Sequence, residues 1–238
     1  MTITSPHNEK LKEIRKLTQR RRERERAGRF VAEGEDLLAA ADASGWEPLQ
    51  RLCVAGSGLA GEEVQAAVLA SVSGLGSGTR TLAVYEARWA PAATGPLCVC
   101  LYGISDPGNV GAVLRSARAF GAASVALGPG TADPYSPKAV RASMGAVFEV
   151  PLARVPTIAD LPGPTIALSA DSDPAHPALS ELDLDGATFL VGAEREGLPA
   201  DVLAAADEVA RIPIHTHSLN AAMAATIALY EATRMAAG

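Results

Sequence analysis

From residue 97 onward, short apolar runs alternate with stretches of helical character, and this alternation restricts the possible folds more than any other feature. Residues 97–103 are almost continuously apolar, as a strand covered on both faces of a parallel sheet requires. A helix over 109–120 follows. Further strands are expected at 124–127, 147–150, 165–169, 187–191 and 208–212. Helices are expected at 137–142, 158–161, 199–205 and 219–237. The pattern predicts an α/β fold with a mainly parallel sheet.

Residues 1–90 read as a separate, smaller α/β domain. One helix is expected over 8–27, with an apolar face limited to Leu11, Ile14 and Leu17 and a stop at Gly28. A strand at 29–34, helices at 35–43 and 62–71, and strands at 49–55 and 81–86 follow. The small-residue, proline-containing segment 91–96 serves as the linker, and 97–238 forms the second domain. At 238 residues, with 48% hydrophobic and 20% charged side chains, the chain has globular composition and room for two modest domains. No apolar run approaches the ~18 residues of a membrane span, and the first ten residues lack a signal-peptide core. Three cysteines, Cys53, Cys98 and Cys100, cannot all pair within one chain, so buried thiols in a reducing cytoplasm are expected.

Charge is concentrated. Between Lys10 and Arg29 stand ten Lys or Arg against three acids, on a chain whose net charge is −6. A basic segment on an acidic body suits a phosphate backbone, where each cation releases counterions, although a solvated helix laced with ion pairs gives the same composition. Two weaker patterns point elsewhere. Gly56-Ser57-Gly58-Leu59-Ala60-Gly61 matches a dinucleotide-binding loop, but no acid ends a following strand at the spacing for a ribose. His215 and His217 have no further metal ligand near them in sequence.

Three segments of the second domain carry more chemistry. In the first, Asp106-Pro107-Gly108-Asn109 opens a helix, with Asn109 as the expected cap and Arg115 just under two turns later, placed on the face of the helix start. In the second, an apolar strand runs into Gly192, Glu194 and Gly197. In the third, Ile212-Pro213 leads through a polar loop to Ser218-Leu219-Asn220. Each lies past the C-terminal end of a strand, where open α/β sheets bind ligands.

These residues, in this order, resemble the SpoU (TrmH) family of RNA ribose methyltransferases of the SPOUT superfamily. The family's first motif is matched by Asn109, Gly111 and Arg115, its G-x-E-x-x-G by Gly192, Glu194 and Gly197, and its third by Ile212, Pro213, Ser218, Leu219 and Asn220. Residues 133–145 resemble the family as well. Residues 5–90 are similar to the ribosomal-protein-like domain that often precedes it. The loop between Pro213 and Ser218 is shorter than usual.

The resemblance implies a C-terminal trefoil knot, S-adenosyl-L-methionine as methyl donor, a homodimer, and methylation of a ribose 2′-hydroxyl in structured RNA, with rRNA ahead of tRNA. A tRNA substrate and a non-catalytic RNA-binding role are the alternatives. It also implies catalytic roles for Arg115, Asn109, Glu194, Ser218 and Asn220. Ser169, Ala170, Gly192, Gly197, Ile212 and Leu219 would form the cofactor pocket. RNA contacts are expected from Arg20, Arg21, Arg22, Arg24 and Arg141. The family's arginine is cast as the group that activates the hydroxyl. A guanidinium keeps its proton too firmly for an easy base, so gripping a phosphate and stabilising the alkoxide is the preferred role for Arg115. No metal is required.

Overall fold

The computed structural model describes residues 2–74, 78–169, 175–193, 196–215 and 218–236. Its contacts divide the chain into two units, Met1–Ala87 with Asp133–Phe148, and Arg88–Ala132 with Glu149–Gly238.

In the first unit, α1 (Glu9–Gln19) is capped by Asn8, whose side chain accepts the N–H of Lys10 at 2.9 Å, and it buries Leu11, Ile14 and Leu17. Each of these contributes about 1.5–3 kcal/mol by burial. The expected single helix is instead two. The backbone turns extended at Arg20 (φ −128°, ψ 115°), and α2 (Arg21–Ala27) ends at left-handed Gly28 (φ +62°). The break has a physical reason. The sequence RRERERA offers no apolar stripe, so α2 buries only Arg24, whose Nη1 donates to the Leu17 carbonyl at 2.7 Å and whose Nε donates to Asp133 at 2.7 Å.

Strands β1 (Arg29–Glu33), β2 (Gln50–Val54), β3 (Glu62–Val64) and β4 (Thr81–Glu86) form a sheet in the order β1-β4-β2-β3. Helix α3 (Glu35–Ala43) follows β1. The helix expected over 62–71 divides into β3 and the short α4 (Ala66–Ala70), because β3 finds a parallel partner in β2. Helix α6 (Pro137–Ala142) and a 3-10 turn (Ala146–Phe148) complete the unit. Tyr135 and Phe148 join Phe30, Trp46 and Tyr85 in one aromatic cluster, where Trp46 Nε1 donates to the Phe148 carbonyl at 2.8 Å. The expected strand at 147–150 is therefore replaced by this buried turn.

The second unit is built on a six-stranded sheet in the order β10-β8-β9-β5-β6-β7, and every pairing in it is parallel. Its strands are β5 (Cys98–Leu101), β6 (Ser124–Leu127), β7 (Leu152–Arg154), β8 (Thr165–Leu168), β9 (Thr188–Val191) and β10 (Glu208–Ala210). Central β5 and β9 are buried along their whole length, as their unbroken apolar runs require. Helices α5 (Pro107–Ala119), α7 (Ala200–Ala205) and α8 (Ala221–Ala236) connect or close the sheet. Residues 158–160 form only a 3-10 turn. Helices α5 and α8 pack together and share a hydroxyl pair, Ser116 with Thr226 at 2.6 Å.

Candidate active site

The first motif turn follows β5. Asp106 caps α5, its Oδ1 accepting the Gly108 N–H at 2.7 Å, with Pro107 in the first turn. Asn109, expected as the cap, lies inside the helix. Proline suits the first helical position because its φ is preset and its missing N–H goes unneeded there, so the start moves up to Asp-Pro. Asn109 instead accepts a hydrogen bond from Asn220 Nδ2 at 3.1 Å. Asn220 Oδ1 accepts the N–H groups of Ala222 (3.0 Å) and Met223 (3.3 Å) at the start of α8. One amide pair thus ties together the openings of α5 and α8.

Arg115 is not on the face of Asn109. Six residues turn a helix by roughly 600°, which leaves the two side chains about a third of a turn apart. Arg115 is exposed, and its side chain makes no hydrogen bond or ion pair with the described residues. Gly111 and Ala112 precede it by four and three positions. Helical side chains lean toward the N-terminus, so nothing bulky on α5 stands between the guanidinium and the helix start.

The second turn follows β9. The Ala193 N–H donates to the Gly197 carbonyl at 3.2 Å and the Gly197 N–H donates back at 2.9 Å, closing a tight loop with Gly197 left-handed (φ +68°). A Cβ on Gly192 would lie 2.3–2.5 Å from the Gly197–Leu198 peptide. Both glycines of the pattern are therefore demanded by the turn itself. Glu194, the acid between them, lies outside the described residues, as does Ala170.

The third turn follows β10, which ends at Ala210 rather than at 212 because the chain leaves the sheet to run beside another segment. The Arg211 N–H donates to the Pro177 carbonyl at 3.0 Å, the Leu179 N–H to the Arg211 carbonyl at 2.9 Å, and Arg211 Nε to the His176 carbonyl at 2.9 Å.

The turns after β8, β9 and β10 meet around one cleft of about 540 Å³, open to solvent. Ser169, Gly192, Gly197, Ile212 and Leu219 line it as the sequence predicts, and Ser218 joins them. Sequence reasoning missed Leu168, Val191, Ala193, Ile214, Ala221 and Ala224. The first three continue or follow apolar strand ends and the last two open a helix, so only their adjacency to the motifs marked them. No charged side chain is among the described lining. Cys98 and Cys100 on β5 are buried, and burial pushes the Cys100 thiol up to about 12, so neither is a thiolate nucleophile at neutral pH.

The candidate RNA contacts all lie in the first unit. Arg20, Arg22 and Arg141 are exposed, and Arg21 pairs with Glu25 at 2.9 Å. Arg24 is a correction: at 7% exposure, paired with Asp133, it is turned into the protein and unavailable to a phosphate. The Gly56–Gly61 loop joins β2 to β3 rather than to a helix, so it lacks the helix N-terminus on which a pyrophosphate would rest.

The model of the SpoU rRNA Methylase family matches residues 96–230, and that of an MRM3-like substrate binding domain matches residues 8–87. The 23S rRNA (guanosine-2'-O-)-methyltransferase RlmB of Burkholderia sp. is 38% identical over 146 residues, which is 58% of this chain and 59% of that protein. The chain thus spans less than two thirds of this relative's length. Two solved structures are similar over nearly the whole chain. An AdoMet-bound rRNA methyltransferase from Sinorhizobium meliloti is 30% identical with a TM-score of 0.86, covering 99% of this chain and 98% of that one. The SpoU methyltransferase AviRb from Streptomyces viridochromogenes, in complex with AdoMet, is 27% identical with a TM-score of 0.84, covering 98% and 99%.

Proposed function

The chain belongs to the SpoU rRNA methylase family, and from that premise we propose that it transfers a methyl group from S-adenosylmethionine to a ribose 2′-hydroxyl of structured RNA, rRNA ahead of tRNA. The observation that carries this reading is the convergence of the turns after β8, β9 and β10 on one cleft, two of them motif turns, with Asn220 beside it bonded to Asn109 of the first motif. The named rRNA methyltransferases among its relatives and the separate N-terminal unit favour structured rRNA.

The cleft fits the cofactor in kind. Leu168, Ile212 and Leu219 offer apolar walls for a purine. Gly192, Ile212, Ile214 and Leu219 lie outside every helix and strand, so no ladder consumes their main-chain polar groups and they can serve adenine and the amino-acid end. Ser169 and Ser218 add hydroxyls. When bound, S-adenosylmethionine supplies a methyl carbon made electrophilic by its sulfonium.

The chain's own residues then have to bring a ribose oxygen into line and stabilise the charge that develops on it. Arg115 holds an RNA phosphate and faces the developing alkoxide; the hydroxyl proton leaves to that phosphate or to water. Asn109 and Asn220 hold the openings of α5 and α8 in register.

Three further points belong to the proposal. Met223, Ile227 and Tyr230 are 61%, 38% and 53% exposed at successive helical turns of α8, an apolar stripe suited to a second copy of the chain in a homodimer. The bonds between Arg211 and segment 176–179 support the threaded, trefoil-knotted C-terminus. The buried free thiols fit a cytoplasmic setting, and no helix among the described residues is long and apolar enough to cross a membrane. The test is Arg115→Ala, followed by calorimetry with S-adenosylmethionine and a tritiated-methyl assay on ribosomal RNA. Retained cofactor affinity with lost transfer is expected; full activity in the variant refutes the role.

A further inference from the structure

Within the first unit, the turn that ends α6 is built in an unusual way. Met144 has φ +49° and is the one described residue other than glycine in the left-handed region, and the residue is 53% exposed. Such a backbone conformation persists only where the surroundings impose it. Here they do. The Met144 N–H donates to the Arg141 carbonyl at 3.1 Å, and buried Ser143 donates to the Val140 carbonyl at 2.7 Å. Gly145 lies so close to α3 that a Cβ there would be 2.6 Å from the Ala40 Cβ. The next three residues are buried, with Phe148 in the aromatic cluster. The fold therefore holds a long apolar side chain out in water on a rigid, strained turn.

Its neighbour in the same turn is Arg141, exposed and with no side-chain hydrogen bond or ion pair to the described residues. Arg141 rims a small notch of about 250 Å³ with Val31, Leu37, Pro137 and Val140. The one acid in that lining, Glu33, already accepts from Ser73 Oγ at 2.8 Å and from the Gly74 N–H at 2.7 Å. The buried Arg24–Asp133 pair fastens the segment carrying this turn to α2, which displays Arg22 and follows exposed Arg20. An exposed thioether beside a guanidinium that has no ion pair among the described residues, on the unit that carries the other exposed arginines, matches RNA. The charges suit phosphates, and the apolar chain suits the face of an unstacked base.

We propose that the 141–145 turn is a substrate-reading contact, in which Arg141 grips a phosphate and Met144 packs against a flipped or looped-out base of the RNA. The proposal rests on the methyltransferase reading and assigns part of RNA recognition to a segment outside the N-terminal 87 residues. Met144→Gly tests it cleanly, because glycine relieves the left-handed strain and folding is expected to be kept or improved.

In steady-state methyl transfer to ribosomal RNA, Met144→Gly is expected to raise KM for RNA about fivefold with kcat and S-adenosylmethionine affinity unchanged, as losing a partly buried methionine contact would. Met144→Leu is expected to restore the wild-type KM. Arg141→Ala is expected to weaken RNA binding and to flatten its log–log salt dependence by about one, the signature of one lost phosphate contact. A wild-type KM in both Met144→Gly and Arg141→Ala overturns the proposal. So does dissociation of a dimer by Met144→Gly with RNA affinity intact, which would make the turn a protein interface. Failure of the wild-type protein to methylate any RNA would instead overturn the reading on which the proposal depends.

Discussion

Arg115 and Gly192 are the two residues whose chemistry and geometry differ most sharply. Arg115 is a charge displayed to solvent with no partner among the described residues, and its value lies in what it meets. Gly192 has no side chain, and its value lies in the space it leaves. A Cβ there would sit 2.3 Å from the Gly197 carbonyl carbon, with no flexible atom to give way. Gly192→Ala is therefore expected to displace the 192–198 turn and to weaken S-adenosylmethionine binding by about tenfold or more, equivalent to about 1.4 kcal/mol, while the far-ultraviolet circular dichroism stays unchanged. Calorimetry decides this, and an unaltered Kd would show that the turn is not part of the cofactor pocket. Asn220 acts differently, as a helix cap that also bonds Asn109. Asn220→Ala is expected to cost about 1 kcal/mol of stability for the cap alone, and to lower kcat beyond that because the two helix starts lose their tie. Thermal melts beside turnover measurements separate the two effects.

Among the elements, the parallel strands and the three turns were legible because their signals are local: unbroken apolar runs for β5 and β9, Asp-Pro and Gly-rich punctuation for the turns. What was not legible depends on partners far away in the chain. Nothing in RRERERA announces that Arg24 turns inward, since its partner Asp133 is 109 positions on. Nothing in residues 147–150 distinguishes a strand from a turn buried under Trp46. Arg115 lies about a third of a turn from Asn109 but on the face of Gly108, because the helix opens at Pro107 rather than at Asn109. The Arg24–Asp133 pair carries a prediction at this scale. With the two side chains 7% and 10% exposed, Asp133→Asn leaves a buried charge uncompensated and is expected to cost about 3–5 kcal/mol, whereas Arg24→Met with Asp133→Leu is expected to cost much less. Urea melts of the three proteins measure it. Asp207 offers a pH test. Its carboxylate accepts the Thr165 N–H at 2.8 Å and Oγ1 at 2.7 Å, which holds its pKa below the usual range. A lowered folded pKa stabilises above the unfolded value and is lost as pH falls through the folded one. Asp207→Asn is therefore expected to reduce stability at neutral pH and to make it less sensitive to acid below about pH 4.

At the scale of the whole molecule, the proposal assigns recognition and chemistry to different units: one carries the exposed arginines and the 141–145 turn, the other the cleft. The apolar stripe on α8 is proposed as the surface of self-association. Met223→Lys with Ile227→Lys is expected to yield a monomer in analytical ultracentrifugation, and a dimer that persists would place the interface elsewhere. The central claim, ribose methylation at the cleft, is tested most directly by mapping modified nucleotides. Ribosomal RNA is incubated with the protein and S-adenosylmethionine and scanned for sites resistant to alkaline cleavage. A new 2′-O-methyl nucleotide is expected with the wild-type protein and none with Arg115→Ala. An RNA pool left unmethylated by the wild-type protein, or one modified on a base rather than on ribose, would contradict it.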